Sequence, residues 1–248
     1  YRKPSRPILV TGGSGYVGSK LVPMLAEHCQ VRVVETMNFG NPIAETPGVE
    51  FIQGDIRNRT VLKKALHRVD TVIHLAGVVT DELVDMNPAK ARTINVQATE
   101  LLCRMAMDAG VKRFIYASSS SVYGAQDMVC DEGTPPKPQT AYAEMKLEGE
   151  RILNRYANNL WAFSVRSATC CGPAPRMRLD TIVNTFSAQA HFKGLINVWG
   201  GSQYRSNIHV EDVARLYCEL ALGHPSAGSG SFVNAVCQSH QALDLARL

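Results

Sequence analysis

The sequence has no apolar run of the roughly 20 residues that a helix needs to cross a lipid bilayer. It also contains neither an internal repeat nor a low-complexity segment. A membrane protein, a repeat array and a disordered chain are therefore not expected. We expect instead a globular protein without a membrane partner.

Cysteine is present but lacks the spacing of a structural site. The seven cysteines are an odd number, none forms a Cys-x-x-Cys pair, and most lie within apolar runs, as Cys103 and Cys218 do. This pattern argues against a disulfide framework and against a zinc site. It predicts reduced, buried thiols, no bound metal and a cytoplasmic location.

Positive charge is present only in small, separate groups. The formal net charge is +4, and the basic residues are scattered, as at positions 57 and 59 or 63 and 64. Proteins that bind nucleic acids usually gather their Lys and Arg residues on one stripe. A nucleic-acid partner is therefore not expected.

What the sequence does contain is a regular alternation of short apolar runs and amphipathic stretches. The runs are rich in Val and Ile and apolar on both faces, which is typical of strands buried in a parallel sheet. They cover residues 7–11, 31–35, 49–53, 71–76, 113–118 and 162–166. Helices are predicted between them at residues 16–27, 59–67, 88–109 and 141–157. This alternation predicts an α/β fold with a doubly wound parallel sheet.

A glycine-rich loop follows the first predicted strand. Gly13, Gly15 and Gly18 have the G-x-G-x-x-G spacing, which permits a tight turn and close approach of the backbone to a pyrophosphate. The helix that follows supplies free N–H groups for the same phosphates. A purely structural turn is the alternative, but the strand–loop–helix order favours a Rossmann-type nucleotide site. The residues predicted to contact the cofactor here are Gly12, Gly15, Tyr16, Val17 and Gly18.

The second predicted strand ends in Glu35, where a carboxylate can hold the adenosine ribose hydroxyls. This carboxylate repels a 2′-phosphate, and Thr36 rather than Arg follows it. The sequence therefore predicts NAD rather than NADP as the cofactor. The alternative is a surface charge at the end of a strand.

The alternation stops near Gly172, where prolines, an Arg-rich loop, a helix at residues 181–193 and a Gly-Gly turn follow. We therefore assign residues 1–171 to the NAD-binding Rossmann domain. Residues 172–248 are assigned mainly to a small substrate-binding lobe, from which some segments return to the core sheet. Because residues 242–248 resemble the start of a helix, the lobe is expected to be incomplete.

Tyr142 and Lys146 are four residues apart, so both lie on one face of a predicted helix. A tyrosine hydroxyl with its ordinary pKa of about 10 is a poor base near neutral pH, but a nearby ammonium group lowers that pKa. Such a pair can remove a hydroxyl proton while hydride leaves the same carbon. The same spacing arises on many helices by chance, so a surface pair is the alternative.

Four serines, residues 118–121, follow the predicted strand at 113–118. Ligands bind at the carboxyl ends of strands in this kind of sheet, and a serine hydroxyl there can hydrogen-bond the reacting oxygen. The alternative, for at least two of the four, is a turn that caps its own backbone.

Taken together, these motifs resemble the extended short-chain dehydrogenase/reductase family, and specifically its NAD-dependent epimerase/dehydratase group. The features that carry the resemblance are residues 11–18, Gly54-Asp55, residues 74–77, Asn95, residues 118–124, residues 142–146 and residues 209–213. The resemblance implies Tyr142 as general base and acid, Lys146 as the partner that holds the nicotinamide ribose, and Ser119 as the catalytic serine. It also implies that Asn95 orders the central sheet and the nicotinamide site. The further cofactor contacts that it implies are Asp55 and Ile56 beside the adenine, and Leu75, Ala76, Gly77 and Ser118 along the phosphates and riboses.

The resemblance also bears on the type of reaction. Dehydratases of this family carry an Asp-Glu pair where Ser120 and Ser121 stand here, and a hydroxyl cannot replace a carboxylate as a strong acid or base at neutral pH. Epimerisation through a transient keto sugar is therefore predicted. A keto-sugar reductase or a dehydratase of the same family is the alternative, a reductase of steroid or flavonoid substrates is less favoured, and a non-catalytic NAD-binding regulator is the distant one.

The predicted substrate is a sugar carried by a nucleotide diphosphate. Arg205 matches the arginine with which this family meets the substrate pyrophosphate. Arg178 is predicted to bind substrate, with a surface role as the alternative. The complete set of predicted substrate contacts is Ser119, Ser120, Thr169, Arg178 and Arg205. Thr169 and Cys171 replace the Asn and Tyr that are common in the family, so the sugar is left open. The helices at residues 88–109 and 141–157 are predicted to form a homodimer, or simply to cover the sheet.

Overall fold

The computed structural model describes residues 4–126, 128–224 and 227–248. Its main element is a parallel sheet of seven strands in the order β3-β2-β1-β4-β5-β6-β9. These strands are, in chain order, β1 Ile8–Thr11, β2 Val31–Glu35, β3 Val49–Gln53, β4 Thr71–His74, β5 Arg113–Ser119, β6 Trp161–Ser167 and β9 Ser231–Ala235. The six strands predicted from apolar runs are confirmed, and β9 is a seventh that those runs did not indicate.

Helices cover both faces of this sheet, which explains why its central strands β1 and β4 are buried along their whole length. Every residue of β1 and of β4 is buried. One apolar cluster packs the sheet against the helices between β3 and β6, and a second packs it against α1 and α8. The helices are α1 Tyr16–Ala26, α2 Arg59–Ala65, α3 Asp81–Met86, α4 Pro88–Arg92, α5 Ala98–Asp108, α6 Ala141–Asn154, α7 Ile182–Lys193, α8 Val210–Leu222 and α9 Ala242–Arg247. The predicted doubly wound α/β sheet is confirmed.

The strand order places β1 between β2 and β4. Strands β2 and β3 follow on one side of β1, and the chain then crosses to β4 on the other side. In open parallel sheets a ligand binds outside the carboxyl ends of the strands at this reversal. The glycine-rich loop lies there, because it directly follows β1. The fold therefore places the predicted phosphate site at the expected position.

The helix predicted at residues 88–109 is instead divided into three parts. Asn87 ends α3 and caps α4 by accepting a hydrogen bond from the Lys90 N–H group at 3.0 Å. A π-helical turn, Thr93–Gln97, then separates α4 from α5. Turns of this kind occur often at functional sites, and this one carries Asn95.

A smaller sheet follows the main one in the order β10-β8-β7. Its strands are β7 Thr169–Cys171, β8 Tyr204–His209 and β10 Gln238–Gln241. They are short and largely polar, so the apolar pattern gave no sign of them. The predicted domain boundary at residue 172 stays a prediction, and we note that β9 lies in the main sheet.

Two observations concern absences within these residues. None of their helices has both the length and the apolar character that a membrane span requires. Among the same residues, no group of three or more His, Cys, Asp or Glu side chains is arranged to hold a metal ion. All seven cysteines are free thiols.

Candidate active site

The glycine-rich loop is packed too closely for side chains. A Cβ on Gly18 would lie 2.5 Å from the Gly12 carbonyl oxygen, and a Cβ on Gly12 would lie 2.7 Å from the backbone nitrogen of Ala76. Gly12 also has a φ of 76°, a region that favours glycine. The backbone of the loop therefore packs directly against the start of α1 and the residues that follow β4.

Helix α1 begins in this loop with its N–H groups available. Gly15, its N-cap residue, provides no side-chain cap, and the first N–H groups of a helix have no partner within the helix. Together with the helix dipole they form an anion site. The residues around this loop therefore suit the pyrophosphate of a dinucleotide.

The hydroxyl of Tyr16 is engaged elsewhere. It donates to the Gly172 carbonyl oxygen at 2.6 Å and accepts from the Asn184 side chain at 3.0 Å. Burial raises the pKa of Tyr16 to about 12. Any contact of Tyr16 with a cofactor is therefore left to its backbone N–H group.

A row of buried polar groups joins β1, β4 and α5 beneath the loop. His74 Nδ1 lies 2.6 Å from the Thr11 hydroxyl, and its Nε2 lies 3.0 Å from the Thr99 hydroxyl. Burial, followed by the charge of Lys146, lowers the pKa of His74 to about 3. His74 is therefore a neutral link within the core.

Asn95 shapes the segment that follows β4. Its Oδ1 accepts from the Val78 N–H group at 2.8 Å, and its Nδ2 donates to the Val78 carbonyl at 2.9 Å. The Asn95 amide also lies against Gly77, because a Cβ there would be 3.0 Å from Asn95 Oδ1 and 3.9 Å from Lys146 Nζ. The structure thus brings together Gly77, Asn95 and Lys146, and the contacts with a cofactor that the resemblance implies for them stay predictions.

Tyr142 and Ser119 lie next to each other at the end of β5. Burial raises the pKa of Tyr142 to about 12, and its hydrogen bond with the Ser119 side chain acts in the opposite direction. Ser119 Oγ is also 2.9 Å from Ser121 Oγ and accepts from the Ser121 N–H group at 3.2 Å. The serine row is therefore partly a capped turn, and Ser119 is the member that reaches Tyr142.

Lys146 is buried one turn further along α6, with only 4% of its surface exposed. Its Nζ donates to the Ala117 carbonyl at 2.7 Å and lies 5.7 Å from the centre of the Tyr142 ring. Burial lowers the pKa of Lys146 to about 8, while the charge of Glu150 raises it. The protonation of Lys146 near neutral pH thus depends on the balance between its burial and the charge of Glu150.

Arg178 is a second cation near Tyr142. Its guanidinium group binds Asp180 with two hydrogen bonds, at 3.0 and 2.6 Å. Although burial lowers the pKa of Arg178, these bonds raise it and the net direction is upward. Its charge in turn lowers the pKa of Tyr142. The structure therefore places Arg178 within electrostatic reach of the predicted base.

Three other predicted residues do not direct their side chains to this cluster. Ser118 donates to the buried Glu150 carboxylate. The Asp55 carboxylate binds Arg57, whose hydrogen bonds lower the pKa of Asp55. Arg205 is exposed on β8. The contacts with a cofactor that were predicted for Ser118 and Asp55 stay predictions.

The remaining predicted residues are placed as follows. Glu35 ends β2 and accepts from the Thr36 N–H group at 2.9 Å. Ile56 is buried in the core near the end of β3. Leu75 donates its N–H group to the Thr11 carbonyl at 3.0 Å. Thr169 pairs with Asn207 between β7 and β8. Their assigned contacts stay predictions.

Two polar residues of the site escaped the sequence interpretation. Asn184 on α7 accepts from the Gly172 N–H group at 2.9 Å and donates to the Arg178 carbonyl at 2.8 Å. Asp180 fixes the Arg178 side chain. The two-residue spacing of Arg178 and Asp180 could have indicated Asp180, because it allows a bidentate ion pair. Nothing in the local sequence distinguished Asn184.

Comparison with known proteins gives consistent results. The sequence profile described as the NAD dependent epimerase/dehydratase family matches residues 8–235. A UDP-glucose 4-epimerase of Azospirillum brasilense is 30% identical, over 91% of this chain and 71% of the relative. A dTDP-D-glucose 4,6-dehydratase of Mus musculus is 27% identical over 89% of this chain, which spans 66% of that protein's length.

Among solved structures, MoeE5 in complex with UDP-glucuronic acid and NAD is similar in sequence and fold. It is 30% identical, with a TM-score of 0.86 over 96% of this chain and 79% of that one. The fold of this chain thus has a counterpart in a structure that contains NAD.

Proposed function

The chain belongs to the NAD dependent epimerase/dehydratase family, and on this premise we propose that it epimerises a nucleotide-diphosphate sugar through a transient keto intermediate. The observation that carries the proposal is the cluster of Ser119, Tyr142 and Lys146 beside the glycine-rich loop. The cofactor of the family is NAD, and the uncapped start of α1 and the side-chain-free loop suit its pyrophosphate.

In this mechanism Tyr142 moves a proton at its phenolic oxygen. When bound, NAD supplies the acceptor for the hydride that leaves the sugar carbon. Tyr142 removes the proton from the hydroxyl on that carbon, and Ser119 hydrogen-bonds the same oxygen. In the return step Tyr142 would give its proton back to the same oxygen, so that the keto sugar becomes an alcohol again with the opposite configuration at that carbon. The sugar regains the hydride and the proton that it lost, so it leaves with one centre inverted and no net oxidation.

The residues beside Ser119 favour this outcome over loss of water. Dehydration needs groups that deliver and remove protons at neutral pH, and Ser120 and Ser121 offer only hydroxyls there. The Ser121 hydroxyl is moreover bound to Ser119. A keto-sugar reductase uses the same three catalytic residues and remains the second candidate. Glu35 favours the epimerase because it supports NAD, which is regenerated within each turnover.

The nucleotide diphosphate part of the substrate is proposed to lie along the loop after β7. Guanidinium groups such as those of Arg178 and Arg205 suit phosphate oxygens, and Thr169 and Ser120 complete the proposed contacts. A mostly apolar hollow of about 320 Å³ lies beside this loop, lined in part by Met177, Leu179 and Phe192. Because the MoeE5 complexes contain UDP-glucuronic acid or UDP-glucose, UDP sugars are the first substrates to test.

We further propose a homodimer and a cytoplasmic location. Helices α5 and α6 lie side by side on one face of the sheet, tied by an ion pair between Arg155 and Glu100 at 2.7 Å. Their outer surfaces are the proposed dimer contact. The free cysteines suit a reducing compartment. Analytical ultracentrifugation tests the dimer directly, since a monomer at micromolar concentration contradicts it.

The test of the reaction uses purified protein with NAD and a panel of UDP, dTDP, GDP and CDP sugars, including UDP-glucose and UDP-glucuronic acid. We expect a product of unchanged mass with a new anomeric proton signal. Loss of water identifies a dehydratase. Turnover only with a keto sugar and reduced cofactor identifies a reductase.

The variant Tyr142→Phe tests the assigned base. Turnover is expected to fall by about three orders of magnitude, as for loss of a general base, while the Kd for NAD changes little. Tyr156→Phe makes the same change on the turn after α6 and serves as the control. Unchanged turnover in Tyr142→Phe contradicts the assignment.

A further inference from the structure

Three consecutive residues at the end of β5 are each attached to α6. The Ala117 carbonyl accepts from Lys146 Nζ at 2.7 Å, the Ser118 hydroxyl donates to Glu150 Oε1, and Ser119 hydrogen-bonds Tyr142. Tyr142, Lys146 and Glu150 are spaced by four residues, so they follow one another along a single helix face. The strand end that carries the reactive serine is therefore held by the same face that carries the base.

Glu150 is itself fixed by a buried arginine. Arg166 on β6 binds both carboxylate oxygens, with Nε 2.9 Å from Oε1 and Nη2 2.7 Å from Oε2. Side-chain exposure is only 3% for Arg166 and 6% for Glu150. Replacing such a pair by apolar residues often leaves a protein as stable or more so. Its presence therefore calls for a role other than stability.

The arginine is in turn surrounded on its remaining sides. Its Nη1 donates to the Tyr123 hydroxyl at 2.9 Å, and that hydroxyl donates to Asn234 Oδ1 on β9 at 2.8 Å. The guanidinium carbon lies 3.6 Å from the centre of the Phe232 ring. The carboxylate of Glu150 thus has one fixed position behind β5.

The charge of Glu150 also reaches Lys146. The other groups that face Lys146 are Tyr142 on α6, Tyr116 on β5, whose ring centre is 5.2 Å from Nζ, and His74 on β4. His74 is neutral because its pKa is about 3, and Tyr142 keeps its proton up to about 12. Glu150 is therefore the one negative charge among these groups that opposes the effect of burial on Lys146.

We propose that Glu150, oriented by Arg166, is a positioning residue for the reaction, which holds Ser119 in place through Ser118 and keeps Lys146 charged. The turnover part of this inference rests on the proposed function. The part that concerns Lys146 needs only that Lys146 holds the nicotinamide ribose of bound NAD, and not that a sugar is epimerised.

The first test measures the Kd for NAD against pH in the wild type and in Glu150→Gln. Glutamine retains an oxygen for Ser118 but removes the charge and leaves the positive Arg166 behind. We expect the pKa of Lys146 to fall, so that the loss of NAD affinity at alkaline pH begins about one pH unit lower. Glu148→Gln, which removes a partly exposed carboxylate paired with Arg92 from the same helix, is the control and is expected to leave the profile in place. A folded Glu150→Gln protein with the wild-type profile overturns the proposal.

The second test is Ser118→Ala, which leaves the buried ion pair intact and so is expected to fold. We expect kcat to fall roughly tenfold with KM and NAD affinity nearly unchanged, because misplacement of a catalytic group slows the chemical step. Unchanged kcat overturns the role of Ser118. If the wild type turns over no sugar at all, the proposed function fails, while the pH profile of NAD binding still decides the role of Glu150.

Discussion

Burial acts on Tyr142 and Lys146 in opposite directions. It raises the pKa of the tyrosine to about 12 and lowers that of the lysine to about 8, whereas the ordinary values lie close together at about 10 and 10.4. In the protein alone, the proton is therefore held firmly by the tyrosine. The charge of Arg178 already acts on the phenol and keeps the pKa of Tyr142 from rising further.

The variant Arg178→Gln tests this contribution. Arg178 lowers the pKa of Tyr142, so its removal raises that pKa, and a base with a higher pKa becomes active at higher pH. We expect the ascending limb of kcat against pH to move upward by about one unit. Arg176→Gln is the matched control, because that guanidinium group lies 4.3 Å from the Phe39 ring centre. An unmoved limb in Arg178→Gln contradicts the electrostatic role.

The sequence indicated the candidate catalytic residues more readily than the residues that surround them. Tyr142 and Lys146 could be predicted because a four-residue spacing determines which helix face they share. The hydrogen-bond partner of Ser118 could not be predicted, because the sequence does not show which of the adjacent serines faces the buried carboxylate of Glu150. Asn184 escaped for a related reason, since its partners Tyr16 and Gly172 are distant in the sequence.

At the scale of elements, the junction of β1 and α1 depends on the absence of side chains. In Gly18→Ala the new methyl group would lie 2.5 and 2.6 Å from the carbonyl oxygens of Gly12 and Gly13, so the loop has to move. We expect at least a tenfold weaker affinity for NAD, because the N–H groups of α1 lose their alignment with the pyrophosphate.

Isothermal titration calorimetry measures this change. Gly228→Ala is the control, because a Cβ there meets nothing closer than Ser231 Oγ at 3.8 Å. Wild-type affinity in Gly18→Ala would show that the cofactor does not use this loop.

Strands and helices were predictable where the pattern of apolar residues fits only one kind of element. Strands β1 and β4 are apolar on both faces, which only a sheet covered on both sides requires. The break between α4 and α5 was not predictable, because the π-helical turn preserves a helical pattern of apolar residues. Strands β8 and β10 were missed because they carry polar residues on a small, partly exposed sheet.

At the scale of the molecule, the proposed cofactor site lies at the carboxyl edge of the main sheet, which two apolar clusters pack against the helices. A ligand that binds only the folded chain raises the free energy of unfolding by about 2.7 kcal/mol at 100 times its Kd. For a chain of this size we therefore expect NAD to raise Tm by roughly 5 to 10 °C.

Differential scanning calorimetry measures this shift. NADP at the same concentration is the comparison, and a smaller shift is expected because Glu35 repels the 2′-phosphate. An equal or larger shift with NADP contradicts the assignment of the cofactor.

The loop after β7 is fastened to the helix that begins at the glycine-rich loop. Tyr16 and Ser19 of α1 hold the Gly172 carbonyl at 2.6 Å and the Arg176 N–H group at 3.2 Å. The proposed substrate contacts and the proposed phosphate site therefore share one support. We therefore expect binding of one ligand to strengthen binding of the other, and such coupling is reciprocal. Retaining the cofactor between turnovers then also means retaining a preformed place for the sugar.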